Sequence, residues 1–146
     1  MNRRRQALVS TNKRIVSIVD DELDHTILFH DALCSRIKDI SVVSFSDPVI
    51  ALDHLTDNKE TYALVISDLR IPRLSGLELL KKVKRLNPKV RTMLTSAYEF
   101  ENDKVFRQYM NQGIIDEFIQ KPMTMTCLCR EVNNQIHAHQ LAIKKY

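Results

Sequence analysis

Five short apolar runs stand out along the chain, at residues 15–19, 41–45, 63–66, 90–94 and 114–119. Each is rich in Val and Ile and has the length of a strand. VVSF and ALVI are apolar at consecutive positions, the pattern of strands covered on both faces. Helical spacing fills the intervals. Leu23, Ile27, Cys34 and Ile37 recur at that spacing, and so do Val49, Leu52 and Leu55 after Asp47-Pro48, a good cap and first-turn pair. Leu79, Leu80, Val83 and Leu86 form one stripe, with Lys81, Lys82, Lys84 and Arg85 outside it. Val105, Phe106, Tyr109 and Met110 form another, and Gly113 stands where that helix would stop. Met125, Leu128, Val132, Ile136 and Ile143 mark a long closing helix.

Five strand–helix units in alternation predict an α/β fold, a parallel sheet with helices on both faces. Right-handed crossovers make it an open, doubly wound sheet. Five strands and five helices fit the flavodoxin-like order 2-1-3-4-5, whose crevice lies beyond the carboxyl ends of strands 1 and 3. With two glycines and four prolines in 146 residues, the loops are expected to be short.

Charge changes the picture at one end only. The formal net charge is +4, but Arg3, Arg4, Arg5, Lys13 and Arg14 lie in the first 14 residues with no acid among them. Taking these five from the 22 basic residues leaves 17 against 18 acidic ones, so the rest of the chain is near neutral. Residues 1–13 are read as a basic, disordered arm and residues 14–146 as the folded domain. No aromatics interleave with the arginines, so nucleic-acid binding is not expected. No apolar run reaches the ~20 residues of a membrane span, and no signal peptide is evident. A cytoplasmic location is expected.

Cysteine and histidine add little. Cys34, Cys127 and Cys129 are an odd count, which argues against a disulfide framework. Cys127 and Cys129, like His137 and His139, are two apart on one helix and point to different faces. His25, His30 and His54 are scattered, and surface or packing roles are assigned to them.

The chemistry is expected where strands end. Asp20, Asp21 and Glu22 follow the first strand, Asp68 the third, Thr95 and Ser96 the fourth, and Lys121-Pro122 the fifth. Carboxylates crowded together repel and call for a cation, and hard oxygen ligands suit Mg²⁺. A carboxylate beside such a metal can act as a nucleophile toward phosphorus. The metal and a lysine would neutralise the transferring oxygens, with a hydroxyl as hydrogen-bond donor. Asp68, alone at the end of the central strand, is the natural nucleophile.

These segments resemble the receiver domains of response regulators. IVSIVDDE resembles the family's first strand and acidic pair. LVISDLRIPRLSGLELL resembles its phosphoacceptor segment, with Asp68, Pro72 and Gly76 at the expected offsets. MLTSAY resembles the fourth strand and switch hydroxyl, and EFIQKPM the fifth strand with Lys121 and Pro122. The resemblance implies a stand-alone two-component switch related to the chemotaxis regulator. Asp68 would accept a phosphoryl group from a histidine kinase or histidine phosphotransfer protein. Asp21, Asp68 and the backbone carbonyl of Arg70 would hold Mg²⁺ directly, and Asp20 through a water. Lys121 would contact the phosphoryl group, Thr95 would move toward it, and Phe118 would turn inward behind Thr95. The surface of helix 4, strand 5 and helix 5 would then change for a downstream protein that the sequence does not name. No output domain is expected after the fifth helix, and homodimerisation is left open. Ser75 and Met123 depart from the family's usual residues, and Phe118 lacks a phenolic hydroxyl found in many members.

Two other readings are weaker. A flavin or nucleotide binder would need a Gly- or Ser/Thr-rich phosphate loop after the first strand, and DDELD stands there. An aspartyl phosphatase often carries a second Asp two residues past the nucleophile, where this chain has Arg70. Catalysis beyond the domain's own phosphorylation and dephosphorylation is therefore not expected. The Arg70 side chain is expected to shield the phosphoryl group from water.

Overall fold

The computed structural model describes residues 13–98 and 103–144. The basic leader assigned to residues 1–13 lies outside the described residues except for Lys13, which is exposed. In chain order the elements are β1 (Arg14–Val19), α1 (Leu23–Arg36), β2 (Ile40–Phe45), α2 (Pro48–Asp57), β3 (Tyr62–Asp68), α3 (Gly76–Leu86), β4 (Arg91–Ser96), α4 (Lys104–Asn111), β5 (Glu117–Gln120) and α5 (Met125–Ile143). The strands form one parallel sheet in the order β2-β1-β3-β4-β5, as the alternation predicted.

Strand side chains alternate between two cores. Leu64 and Ile66 of β3 face one side, where Phe29 and Leu33 of α1 and Leu128 and Val132 of α5 cover them. Val65 faces the other, under Leu55 of α2, Leu79 and Val83 of α3 and Phe106 of α4. This two-sided burial is why ALVI reads as continuously apolar.

Local sequence chemistry sets where the helices begin. The Asp47 carboxylate accepts from the Val49 backbone N–H at 2.9 Å, with Pro48 in the first turn. Ser75, Asp103 and Thr124 cap α3, α4 and α5 in the same way. Ser75, which departs from the family pattern, thus has a structural task. Gly113 follows α4 with φ +76°, a backbone state that favours glycine. No described helix is long and apolar enough to cross a membrane.

Two expectations are corrected. Of the stripe Leu23, Ile27, Cys34 and Ile37, only Ile37, at the C-cap of α1, reaches the core. Leu23 is 71% and Ile27 51% exposed, Cys34 is exposed too, and the buried residues are Thr26, Phe29, Ala32 and Leu33. The larger apolar volume of Phe29 and Leu33 turns the helix that way. Thr26 tolerates burial because its hydroxyl donates to the Leu23 carbonyl at 2.8 Å. Strand ends also differ: β3 runs on through Asp68, β4 through Ser96, and β5 begins only at Glu117. Asp68 pairs with Thr95 across the β3–β4 ladder, so backbone pairing carries the strands past the end of their apolar runs.

Candidate functional site

The carboxyl ends of β1, β3, β4 and β5 bring the expected residues together. Ligand oxygens of Asp20, Asp21 and Asp68 all lie within 4.8 Å of one another. Asp20 is buried, Asp68 partly buried and Asp21 exposed. Lys121, 101 positions beyond Asp20, donates to the Asp20 carboxylate at 3.0 Å and to that of Asp68 at 3.1 Å. The Lys121–Pro122 peptide is cis.

Two loops hold this arrangement. Asp20 accepts from the Glu22 backbone N–H at 2.9 Å, which folds the β1–α1 turn around its carboxylate. The Leu69 N–H donates to the Thr95 carbonyl at 2.9 Å and the Gly76 N–H to the Leu69 carbonyl at 2.8 Å. The start of α3 is thereby drawn tightly against the end of β3. A side chain at Gly76 would put its Cβ 2.3 Å from the Asp68 carbonyl oxygen, which accounts for glycine here.

Electrostatics follow from burial. Burial pushes the Asp68 carboxyl above its ordinary value, opposed by Lys121, assisted by the negative charge of Asp20 and opposed again by the Arg70 backbone amide. For Lys121, burial works against the charged form, but hydrogen bonds to Asp20 and Asp68 prevail and hold its pKa above the ordinary lysine value. Three carboxylates and one ammonium leave an excess charge of two, the charge of one divalent cation. All-oxygen donors, one of them solvent-facing, suit a hard ion that keeps part of its water shell. The residues present therefore fit a metal of that type.

Thr95 is 1% exposed and sits beside Asp68 in the ladder. Its hydroxyl points to the Ser67 carbonyl at 3.5 Å, a weak contact. The neighbouring Ser96 hydroxyl instead accepts from the Tyr98 N–H at 3.0 Å. Phe118 is half-buried and meets Phe106 of α4 edge-on, with centroids 5.1 Å apart. The Arg70 guanidinium lies 3.9 Å above the Tyr98 ring and stacks on it.

The sequence reading missed one member. His25 Nδ1 is 3.0 Å from Lys121 Nζ and 3.3 Å from the Asp20 carboxylate, and Nε2 is 3.3 Å from Glu22. Its ring stacks on Phe29. With Asp20 and Asp68 it gives the lysine three partners, one for each ammonium proton. The missed signal was position: the first turn of a helix entered from Asp20-Asp21 lies over their pocket.

Comparison with known proteins agrees with this geometry. Residues 16–133 match the response regulator receiver domain family, and the chain belongs to it. It is 29% identical over 122 residues to a protein-glutamate methylesterase/protein-glutamine glutaminase of Methanospirillum hungatei, covering 83% of this chain and 34% of that one. It is 31% identical over 87 residues to sporulation initiation phosphotransferase F of Bacillus subtilis, covering 60% of this chain and 66% of that one. A receiver domain crystal structure from Clostridium thermocellum superimposes with a TM-score of 0.73 at 26% identity, covering 88% of this chain and 98% of that one. The chain thus spans about a third of the methylesterase and just under two thirds of the phosphotransferase. It is a receiver domain of two-component signalling, of the flavodoxin-like fold.

Proposed function

We propose that this receiver is a phosphorylation switch in which Asp68 takes a phosphoryl group from the phosphohistidine of a histidine kinase or histidine phosphotransfer protein. One observation carries the reading: Asp68 ends the central strand, partly buried, with Lys121 at 3.1 Å and two further acids alongside. An Asp68 carboxylate oxygen forms the new bond to phosphorus as the phosphorus–nitrogen bond of the donor breaks, and the imidazole leaves with that bond's electrons. Asp21, Asp68 and the Arg70 backbone carbonyl would hold Mg²⁺, supported by Asp20. Bound there, the ion supplies charge neutralisation for the phosphoryl oxygens.

The protein's own groups do the rest. Lys121, held by Asp20 and His25, is placed to follow the phosphoryl oxygens. The weak Thr95–Ser67 contact costs little to break, so Thr95 can turn its hydroxyl toward a modified Asp68. That movement, with Phe118 turning inward, shifts a pre-existing equilibrium at the surface of α4, β5 and α5 toward the form a downstream protein binds. The domain acts on its own Asp68 and turns over no outside substrate.

Acetyl phosphate with Mg²⁺ should produce an acid-labile phosphoryl label. Beryllofluoride with Mg²⁺ should move the NMR resonances of Thr95 and Phe118. Asp68→Asn should abolish both responses, and a label that survives this change places the nucleophile elsewhere. Metal affinity gives a separate check. Asp21→Ala should weaken Mg²⁺ binding roughly tenfold, the loss of one direct ligand, and more than Asp20→Ala does. Fluorescence or NMR titration measures this, and equal affinities in both variants and the wild type would reject the ligand assignment.

A further inference from the structure

At the opposite edge of the sheet, where the strands begin, lies a cavity of about 410 Å³. Arg14, the first residue of β1, and His139 of α5 line it deep in the fold. Lys59, from the α2–β3 loop, and Lys89, from the α3–β4 loop, stand at its rim. Leu86 and Ile143 supply an apolar wall. Arg14, His139 and Ile143 fall outside residues 16–133, the segment that matches the family, and the rest of the lining falls within it.

The charges in it are unbalanced. Among the described residues, no carboxylate lies within ion-pair distance of Arg14, Lys59 or Lys89. Arg14 Nε is buried with no hydrogen-bond partner, and Nη2 reaches only the Glu60 backbone carbonyl at 3.4 Å and the His139 ring at 3.3 Å. Glu60 acts on Arg14 only from beyond ion-pair distance and does not offset the cost of burying the guanidinium, so the arrangement asks for a further anion. Lys84 and Arg91, the next cations inward, are already paired with Asp116. Arg14, Lys59 and Lys89 against the Glu60 carboxylate leave an excess of two positive charges in the lining.

We propose that this cavity binds a small phosphate monoester, with the phosphate on Arg14, Lys59 and Lys89 and the organic body against Leu86 and Ile143. The doubly charged ester matches the excess of two, which a single carboxylate does not. A guanidinium fork with flanking ammonium groups is suited to phosphate oxygens. The cavity has room for a body of sugar or nucleoside size beside the phosphate. The positive surroundings also act on His139, which burial and then the charges of Arg14, Arg91, Lys84 and Lys89 keep neutral. A neutral ring deep in the site neither repels nor neutralises the ligand.

The test uses the full chain in Mg²⁺-free buffer with chelator, so the Asp68 site takes no part. Ribose 5-phosphate and adenosine 5′-monophosphate are titrated against ¹⁵N-labelled protein, with adenosine, acetate and inorganic phosphate alongside. The backbone amides of Arg14, Glu60 and Val90 should shift and saturate with both esters and not with adenosine or acetate. Inorganic phosphate should bind at least about tenfold more weakly than the esters. The double variant Lys59→Ala/Lys89→Ala, altered only at exposed positions, should lose about tenfold or more in affinity. Arg14→Met should abolish binding and leave the ligand-free protein at least as stable. The proposal is overturned by shifts that do not saturate at millimolar ester. It is overturned equally by unchanged affinity in the double variant, or by inorganic phosphate binding as tightly as the esters.

Discussion

Gly76→Ala is expected to destabilise the protein by about 3 kcal/mol or more, the upper range for overpacking a tight contact. The added Cβ would lie 2.3 Å from the Asp68 carbonyl oxygen, 3.0 Å from the Asp68 carbonyl carbon and 2.9 Å from Leu94 Cδ1. Leu94 can change rotamer, but the Asp68 backbone cannot easily retreat. The end of β3 is paired with β1 on one side and with β4 on the other. Backing α3 away instead breaks the 2.8 Å hydrogen bond from the Gly76 N–H to Leu69. A retreat of the Asp68 backbone would displace its carboxylate relative to Lys121, so the phosphoryl label at Asp68 should fall with stability. Urea unfolding measures the first effect, and a midpoint equal to wild type would show that the contact yields freely.

The second large effect is acid sensitivity centred on His139. This residue is 1% exposed, and its pKa is pushed down from 6.5 to about 4 by burial first and then by Arg14, Arg91, Lys84 and Lys89. Once unfolded it takes up a proton near pH 6.5, whereas in the folded protein it resists until about pH 4. Between those values the unfolded state binds more protons, so stability falls as pH falls. Above about pH 6.5 the effect vanishes, and by pH 4 it amounts to on the order of 3 kcal/mol at ~1.4 kcal/mol per pH unit. His139→Gln keeps a side-chain acceptor near Arg14 and removes the titration. Its unfolding free energy should fall less steeply than wild type between pH 6.5 and 4. Parallel curves for the two proteins would assign the acid sensitivity to other groups.

The candidate site was legible because each element delivers its chemistry at a strand end. Asp20, Asp68, Thr95 and Lys121 follow or end apolar runs, and a parallel sheet gathers all such ends at one edge. His25 was not legible in that way, since it sits inside a helix. Only the docking angle of α1 decides whether a residue there faces the pocket or solvent. The same angle decided the packed side of α1. Leu23-Ile27-Cys34-Ile37 and Phe29-Leu33 are both apolar sets at helical spacing, and periodicity alone does not tell that the first packs only at Ile37. Arg70 illustrates a further limit, because its stacking on Tyr98 depends on the path of a loop.

By itself, the sequence determined the alternation of strands and helices, the strand order and the acidic-lysine constellation, because these rest on local periodicity and on topological rules that hold for any such chain. It also determined the start of α2, where Asp47-Pro48 acts on a backbone N–H only two residues away. Tertiary structure alone decided which apolar face of α1 is buried and that His25 joins Lys121. It alone decided that Gly76 abuts the Asp68 carbonyl and that Arg14 meets His139, 125 positions along the chain. Each of these is a contact between elements packed at a particular depth and angle. Such contacts depend on the whole core closing at once, and no window of residues contains that information.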